Sequence, residues 1–223
     1  MKNIYLHAIC ANPSKYQSIR TQRVLLKILE DKALLSLRKQ KLYDPSYSFA
    51  GLDYISLCDF DKRYLGQSED VLYNSYNGYI RNSLSFMFPK NEFKILNPTI
   101  IPISIKNYKG YDNMKRLGNT ITDERYSDMP DEVQIKDSLS LVFASGITIP
   151  THLLTHWFFN RSANISNIKY EVEDIDNLLQ KNGFNLPIYD IDTFENLKTD
   201  DGVDNTYQYI KMKKRWVIIF LFV

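Results

Sequence analysis

The spacing of apolar residues divides the first part of the chain into strands and one helical region. β-Branched and aromatic residues crowd positions 4–9, which predicts a first strand. Between positions 18 and 38, apolar residues recur near the helical spacing with lysines and arginines between them, which predicts one or two amphipathic helices. Positions 51–58 return to a strand pattern, and the polar, tyrosine-rich stretch 59–82 predicts a loop with a short helix.

The middle of the chain repeats the strand pattern in short pieces. We expect further strands at 84–88, 99–105, 131–135, 138–142 and 146–149. Pro102 has no N–H to donate to a neighbouring strand, so its strand should lie at an edge or carry a bulge. The polar stretch 107–127 between these strands predicts an exposed loop.

Helical spacing returns after Pro150. The apolar stretch 152–159 predicts a helix, and 168–179 predicts an acidic amphipathic helix that Asn182 and Gly183 end. Strand, helix, several strands and then late helices is the order typical of a mixed α+β fold rather than a regular βαβ repeat.

The length of 223 residues predicts one domain, because it suffices for one well-buried core. Within 1–223 we expect a strand-rich core over about 1–150, a helical remainder over about 151–200 and an apolar C-terminal tail over 206–223. The charged stretch 198–204 would separate the body from that tail. Residues 216–223 are wholly apolar but far short of the roughly 20 that span a bilayer. They are expected to form a buried strand or to be the cut edge of a longer protein.

Composition and charge restrict the function only in part. Hydrophobic residues at 44% and charged residues at 24% are typical of a folded globular chain. A net charge of +2 gives no strong field toward nucleic acid or a membrane surface. Cys10 and Cys58 lack metal or redox spacing, and no apolar signal core follows Met1. We therefore expect free thiols and a cytoplasmic chain, which only a specialised system would secrete, for example into a host cell.

Three separated motifs carry the candidate chemistry. His7 lies on the first predicted strand, Tyr54 and Ser56 lie on the second, and Glu132 begins a later one. In this order the motifs resemble the ADP-ribosyltransferase fold family, in particular its bacterial effector and toxin branches, over the first 150 residues or so. The resemblance implies an α+β fold with a mixed, mainly antiparallel β core and flanking helices.

The resemblance also implies an activity and a role for each residue. The activity is mono-ADP-ribosyl transfer from NAD, as substrate, to a protein acceptor, with no metal. Glu132 would be catalytic, because breaking the nicotinamide-ribose bond passes through an oxocarbenium-like state that a carboxylate stabilises. His7 would bind a ribose hydroxyl, Tyr54 would stack on nicotinamide, and Ser56 would orient a neighbouring hydroxyl or the carboxylate. These residues are expected to converge on one cleft.

Each residue also has a plain structural interpretation. Glu132 alone is equally typical of a solvated charge at a strand start, His7 of a satisfied core histidine, and Tyr54 with Ser56 of an exposed sheet face. Many arginine-modifying relatives carry Gln or Glu two residues before the catalytic Glu, where this chain has Pro130. The acceptor therefore stays open. An inactive binding module and a nucleic-acid acceptor are the alternatives, and the near-neutral charge counts against the latter.

His152 and His156 form the remaining motif, two imidazoles one helical turn apart. The pair lacks the Glu of the zinc-protease pattern and any evident third ligand. A structural or surface role is the favoured interpretation of this pair.

Overall fold

Nine strands and three long helices make up the described part of the chain. The computed structural model describes residues 4–9, 19–40, 54–59, 83–91, 101–104, 130–152 and 164–220. In chain order the elements are β1 (Ile4–Ala8), α1 (Ile19–Asp31), β2 (Ala33–Leu35), β3 (Tyr54–Asp59), β4 (Ser85–Pro89), β5 (Ile101–Ser104), β6 (Pro130–Lys136), β7 (Ser138–Ser140), a 3₁₀ turn (Leu141–Phe143), β8 (Gly146–Ile149), α2 (Ile165–Lys181), β9 (Ile188–Asp190) and α3 (Asp200–Phe220).

Seven of the strands form one mixed sheet in the order β5-β6-β3-β1-β4-β8-β9. All neighbours in it run antiparallel except β8 and β9, which run parallel. The α+β class is therefore confirmed. β5 lies at an edge, with a bulge between Ile103 and Ser104, as the missing N–H of Pro102 predicts.

The helices pack on one face of this sheet, which we call the helical face. Alternate strand positions such as Leu57, Phe86 and Ile147 are buried there, because successive strand residues point to opposite faces. All three helices bury apolar side chains against the same core: Leu25, Ile28 and Leu29 of α1, Ile168, Val172, Ile175 and Leu179 of α2, and Val203 and Ile210 of α3.

The other sheet face, which we call the outer face, carries a smaller apolar cluster. Leu6 and Met87 are buried there beneath Ile191, with Tyr189 and Phe194 packed beside them. A Cβ on Gly146 would lie 3.1 Å from both Tyr189 Cε2 and Pro187 O, so the chain packs closely against this glycine. Apolar side chains of β9 and of the segment after it therefore cover part of the outer face at β1 and β4.

The helical pattern over 18–38 ends earlier than its apolar spacing predicts. α1 stops at Asp31, Lys32 has φ 53°, and Ala33–Leu35 forms β2, which pairs with β7. The prediction of helix beyond Asp31 is wrong. Ala33, Leu34 and Leu35 pair with β7 as a strand, and the helical spacing of apolar residues does not reveal this pairing. The strands predicted over 131–135 and 138–142 are present as β6 and β7, but β7 ends at Ser140, before the 3₁₀ turn, and the two strands belong to different sheets.

The helix α2 begins and ends at recognisable caps. Asn164 Oδ1 accepts a hydrogen bond from Asn167 N at 2.8 Å before α2, and Gly183 beyond its end has φ 82°. The helix predicted over 168–179 is confirmed by α2. Lys198 Nζ lies 2.6 Å from Asp176 Oδ1, and this ion pair links the segment just before α3 to α2.

The charged stretch 198–204 is not a separator between body and tail, so that prediction is wrong. Thr199 Oγ1 accepts a hydrogen bond from Gly202 N at 3.1 Å, and Asp200 and Asp201 occupy the first turn of α3. A hydroxyl cap and early carboxylates favour a helix start, because they satisfy its free N–H groups and its dipole. α3 continues to Phe220, so residues 216–220 are helical, and the buried strand, one of the two expectations for this stretch, is wrong.

β9 was not predicted, because a three-residue strand carries too little apolar pattern to be recognised. Within the described ranges, no helix is both long and apolar enough to cross a membrane. Apart from Asp59 and His152, the predicted elements over 59–82, 107–127 and 152–159 lie outside the described residues, as do His156 and Cys10.

Candidate functional site

The strand register brings three of the four predicted site residues to one sheet face. In β3 and β6, Cys58 pairs with Glu132, and Cys58 also pairs with Leu6 of β1. Directly opposed residues of antiparallel strands share a face, so position 132 lies on the outer face. Tyr54 and Ser56 are four and two residues from Cys58 along β3, and the period of two assigns them to this same face.

His7 belongs to the opposite face. It follows Leu6 directly in the regular strand β1 and pairs with Phe86, which is fully buried in the helical face. The side chain of His7 is half-buried there. Three adjacent strands thus supply all four residues, yet the register separates His7 from Glu132 instead of bringing the two into one cleft. A strand pattern alone did not reveal this, because the face of a residue depends on the register.

A second polar cluster occupies the carboxyl ends of the parallel strands β8 and β9, which meet at one edge of the sheet. Asp190 is only 1% exposed and accepts four hydrogen bonds. Its donors are the Thr151 hydroxyl, Asp192 N at 2.9 Å, and the N and Oγ1 of Thr193 at 2.7 and 3.0 Å. Thr206 Oγ1 of α3 lies 3.1 Å from Thr193 Oγ1, so the network joins β8, the turn after β9 and α3.

The charge of Asp190 is held in an unfavourable environment. Burial raises the pKa of this carboxyl above its ordinary value, and the nearby charge of Asp192 raises it further. The hydrogen bonds from Thr151 and Thr193 oppose that rise. Beside it, His152 Nδ1 lies 3.3 Å from Asp192 Oδ2. A buried carboxylate that accepts four hydrogen bonds, three of them from the turn after β9, stabilises the conformation of residues 191–195.

This cluster was missed by sequence reasoning, although one signal was present. Asp followed by Thr three residues later is a side-chain-to-backbone turn signature, because an aspartate oxygen accepts from N–H groups just ahead of it. His152 was considered only as a partner of His156. Its observed neighbour is instead Asp192, which is 40 residues away in sequence.

Replacing Asp190 with asparagine is expected to change how stability depends on pH. Because the folded pKa is raised, the contribution of Asp190 is complete below its ordinary pKa of 3.8 and is lost as pH rises through the folded value. The asparagine side chain would keep Oδ1 for the turn donors and would carry no charge into the buried site. Urea unfolding from acid to neutral pH should therefore show the variant gaining stability relative to the parent as pH rises.

The matched control for this measurement is Asp174→Asn, which removes a carboxylate from an exposed position of α2. Its stability difference from the parent should not follow the Asp190→Asn curve. A difference between Asp190→Asn and the parent that stays constant across the pH range would contradict the burial of a charged Asp190.

Two simple ligand sites are not supported by the described residues. The cavity between α1 and α2, beside Thr21, Leu84 and Glu171, measures about 20 Å³, which holds one water rather than a dinucleotide. Over the described ranges, no group of three His, Cys, Asp or Glu side chains is arranged to hold a metal ion.

Three of the four predicted site residues, Tyr54, Ser56 and Glu132, are thus assigned to the outer face of β3 and β6. The Asp190 cluster is a separate, structural site. Comparison with known proteins adds no assignment, since no protein-family model, no curated protein and no solved structure matches the chain.

Proposed function

We propose that the protein is a mono-ADP-ribosyltransferase that cleaves NAD and transfers ADP-ribose to a protein acceptor, as an effector or toxin would. One observation carries the proposal. Glu132 pairs with Cys58 on the strand beside it, and the register assigns Tyr54, Ser56 and Glu132 to the same sheet face. A carboxylate, a hydroxyl and an aromatic ring on adjacent strands are the groups that NAD cleavage needs.

The reaction assigns a task to each of these groups. The bond between nicotinamide and ribose breaks with its electron pair leaving on nicotinamide, and the ribose carbon becomes oxocarbenium-like. The Glu132 carboxylate stabilises that positive charge, and a nucleophile of the acceptor attacks the carbon and loses its proton to Glu132. Tyr54 stacks on nicotinamide, and Ser56 hydrogen-bonds a hydroxyl or orients the carboxylate.

The filled part of the outer face restricts where NAD would bind. Tyr189 and Phe194 pack over Leu6 and Met87, which belong to the central strands β1 and β4. We therefore locate the proposed NAD site over β3, β6 and β5, on the side away from β9. His7 lies on the other face, so the proposal assigns it no contact with the ribose.

The test is incubation of the purified chain with NAD labelled on the adenine side, together with a cell lysate. We expect label covalently attached to a protein and release of nicotinamide in equal amounts. Mass spectrometry of the labelled peptide identifies the acceptor residue, which the sequence leaves open. If the label is found on nucleic acid, the acceptor is nucleic acid and not a protein. If neither labelled product nor released nicotinamide is found, the chain is an inactive binding module.

A further inference from the structure

Residues 190–195, which we call the β9 turn, fold back on the end of β9 from a firmly held base. Asp190 N donates to Glu195 O at 3.1 Å, and Leu197 N donates to Ile188 O at 2.8 Å. Ile188 and Leu197 are both buried in the main core under the helical face. The base of the β9 turn is therefore anchored by packing that the turn itself does not provide.

The side chains of the β9 turn cover apolar residues of the outer face. Ile191 is buried and Phe194 is half-buried, and both belong to the apolar cluster that contains Leu6 and Met87. Met87 is itself only 1% exposed. A local opening of the β9 turn would withdraw Ile191 and Phe194 from this cluster and let solvent reach Met87.

The closed β9 turn holds two unfavourable features together. Phe194 has a φ of 57°, in the left-handed region that costs free energy for a residue with a Cβ. The Asp190 carboxyl is buried beside the charge of Asp192, and burial together with that charge raises its pKa. Opening relieves both, because the backbone of Phe194 can return to an ordinary φ and water can reach Asp190.

The groups around Asp190 set the direction of the pH effect. Asp192 is the charged neighbour that acts on Asp190, and His152, just after β8, has Nδ1 3.3 Å from Asp192 Oδ2. A protonated His152 offsets the charge of Asp192, whereas a neutral one does not. From α3, the uncharged hydroxyl of Thr206 contacts Thr193. Since the folded pKa of Asp190 is raised, the closed turn is most stable below the ordinary pKa of that carboxyl and loses stability as the pH rises through the folded value.

We propose that the β9 turn is a pH-sensitive switch that is closed in acid and opens locally as the pH rises, which uncovers Leu6 and Met87. Its base at Ile188 and Leu197 stays paired in the open form. Proteins open in local cooperative units at a lower free energy than that of unfolding, and a turn with an anchored base is such a unit. The switch does not rest on the proposed reaction, since residues 190–195 belong to neither β3 nor β6.

The experiment is oxidation of the full chain by hydrogen peroxide from acidic to mildly alkaline pH, with each oxidised methionine located by peptide mass spectrometry. Peroxide converts the thioether to the sulfoxide and is itself reduced to water. Met87 should oxidise severalfold faster as the pH rises. Met212 is 55% exposed and serves as the internal control, because peroxide reaches it whether the β9 turn is open or closed.

Variants separate the switch from other effects of pH. Asp190→Asn should remove most of the pH dependence of Met87 oxidation, because asparagine does not titrate. Asp192→Asn should weaken that dependence, because it removes the neighbouring charge. Asp174→Asn, at an exposed position of α2, should behave like the parent. A ratio of Met87 to Met212 oxidation that stays constant with pH, or that rises in Asp190→Asn as in the parent, would overturn the proposal.

Hydrogen exchange of the parent distinguishes local opening from unfolding of the whole chain. The amide of Phe194 donates to Asp190 O at 2.9 Å within the β9 turn, and the amide of Leu197 donates at its base. After correction for the intrinsic pH dependence of exchange, the protection of Phe194 should fall as the pH rises, while that of Leu197 should not. An equal loss of protection at both amides would show unfolding instead of a switch.

Discussion

Glu132→Gln is expected to lower ADP-ribose transfer by roughly two orders of magnitude or more, the scale of losing one preorganised electrostatic group. The amide keeps the shape of the side chain and part of its hydrogen bonding but removes the negative charge. In the proposed reaction that charge acts on a ribose that becomes cationic only as nicotinamide leaves, so the loss should fall on the rate rather than on NAD affinity. The transfer rate, the calorimetric NAD affinity and the thermal melt together check this.

Two further variants show whether the loss is specific. Glu173→Gln changes a carboxylate on an exposed position of α2 and should transfer ADP-ribose like the parent. For His7→Ala, the family resemblance predicts weaker NAD binding, whereas the register predicts unchanged binding because His7 and Glu132 lie on opposite faces. A Glu132→Gln protein that transfers at the parental rate with an unchanged melt would remove the residue on which the proposed function depends.

Gly202→Ala is expected to destabilise the fold by about 3 kcal/mol, near the upper end of typical over-packing costs. A Cβ at this position would lie 2.0 Å from Asn196 O and 2.7 Å from Asn196 C. Both are backbone atoms, and the chain there is held by Leu197 N donating to Ile188 O at 2.8 Å. The first turn of α3 must therefore shift. The melting temperature should fall by roughly 6–12 °C for a domain of this size.

The sign of this effect makes the test informative. Helix propensity alone predicts that Gly→Ala inside a helix stabilises by about 1 kcal/mol. Gly183→Ala serves as the comparison, because nothing lies within 4 Å of its Cβ position and only its φ of 82° opposes a side chain. It should cost about 1–2 kcal/mol, less than Gly202→Ala. A Gly202→Ala protein that melts above the parent would contradict the contact between α3 and Asn196.

Much of the secondary structure could be predicted because its cause is local. α2 follows from apolar spacing with Asn164 before it and Gly183 after it, and the edge position of β5 follows from Pro102. The predictions were wrong at β2, which was expected to be helical, and at the end of α3, where a strand was expected. In both places the local pattern and the long-range partner disagree. The leucines of β2 satisfy either period, and only the pairing with β7 decides for the strand.

The candidate site divides in the same way. The residue types that suit NAD cleavage, and the common face of Tyr54 and Ser56, come from the sequence, since alternation along one strand needs no partner. The sequence could not decide on which face Glu132 and His7 lie, because a shift of one residue in register exchanges the two faces. It also missed the Asp190 cluster, whose members Thr151 and Thr206 are far apart along the chain.

By itself, then, the sequence determined the α+β class, the capped helix α2, the edge strand and the residue types that could take part in catalysis. Each of these depends on neighbours within a few positions. The tertiary structure decided the strand order, the separation of His7 from Glu132, the burial of Asp190 and the intolerance of Gly202 to a side chain. Each of these depends on which distant backbone lies alongside, and the local period of a sequence does not encode that partner.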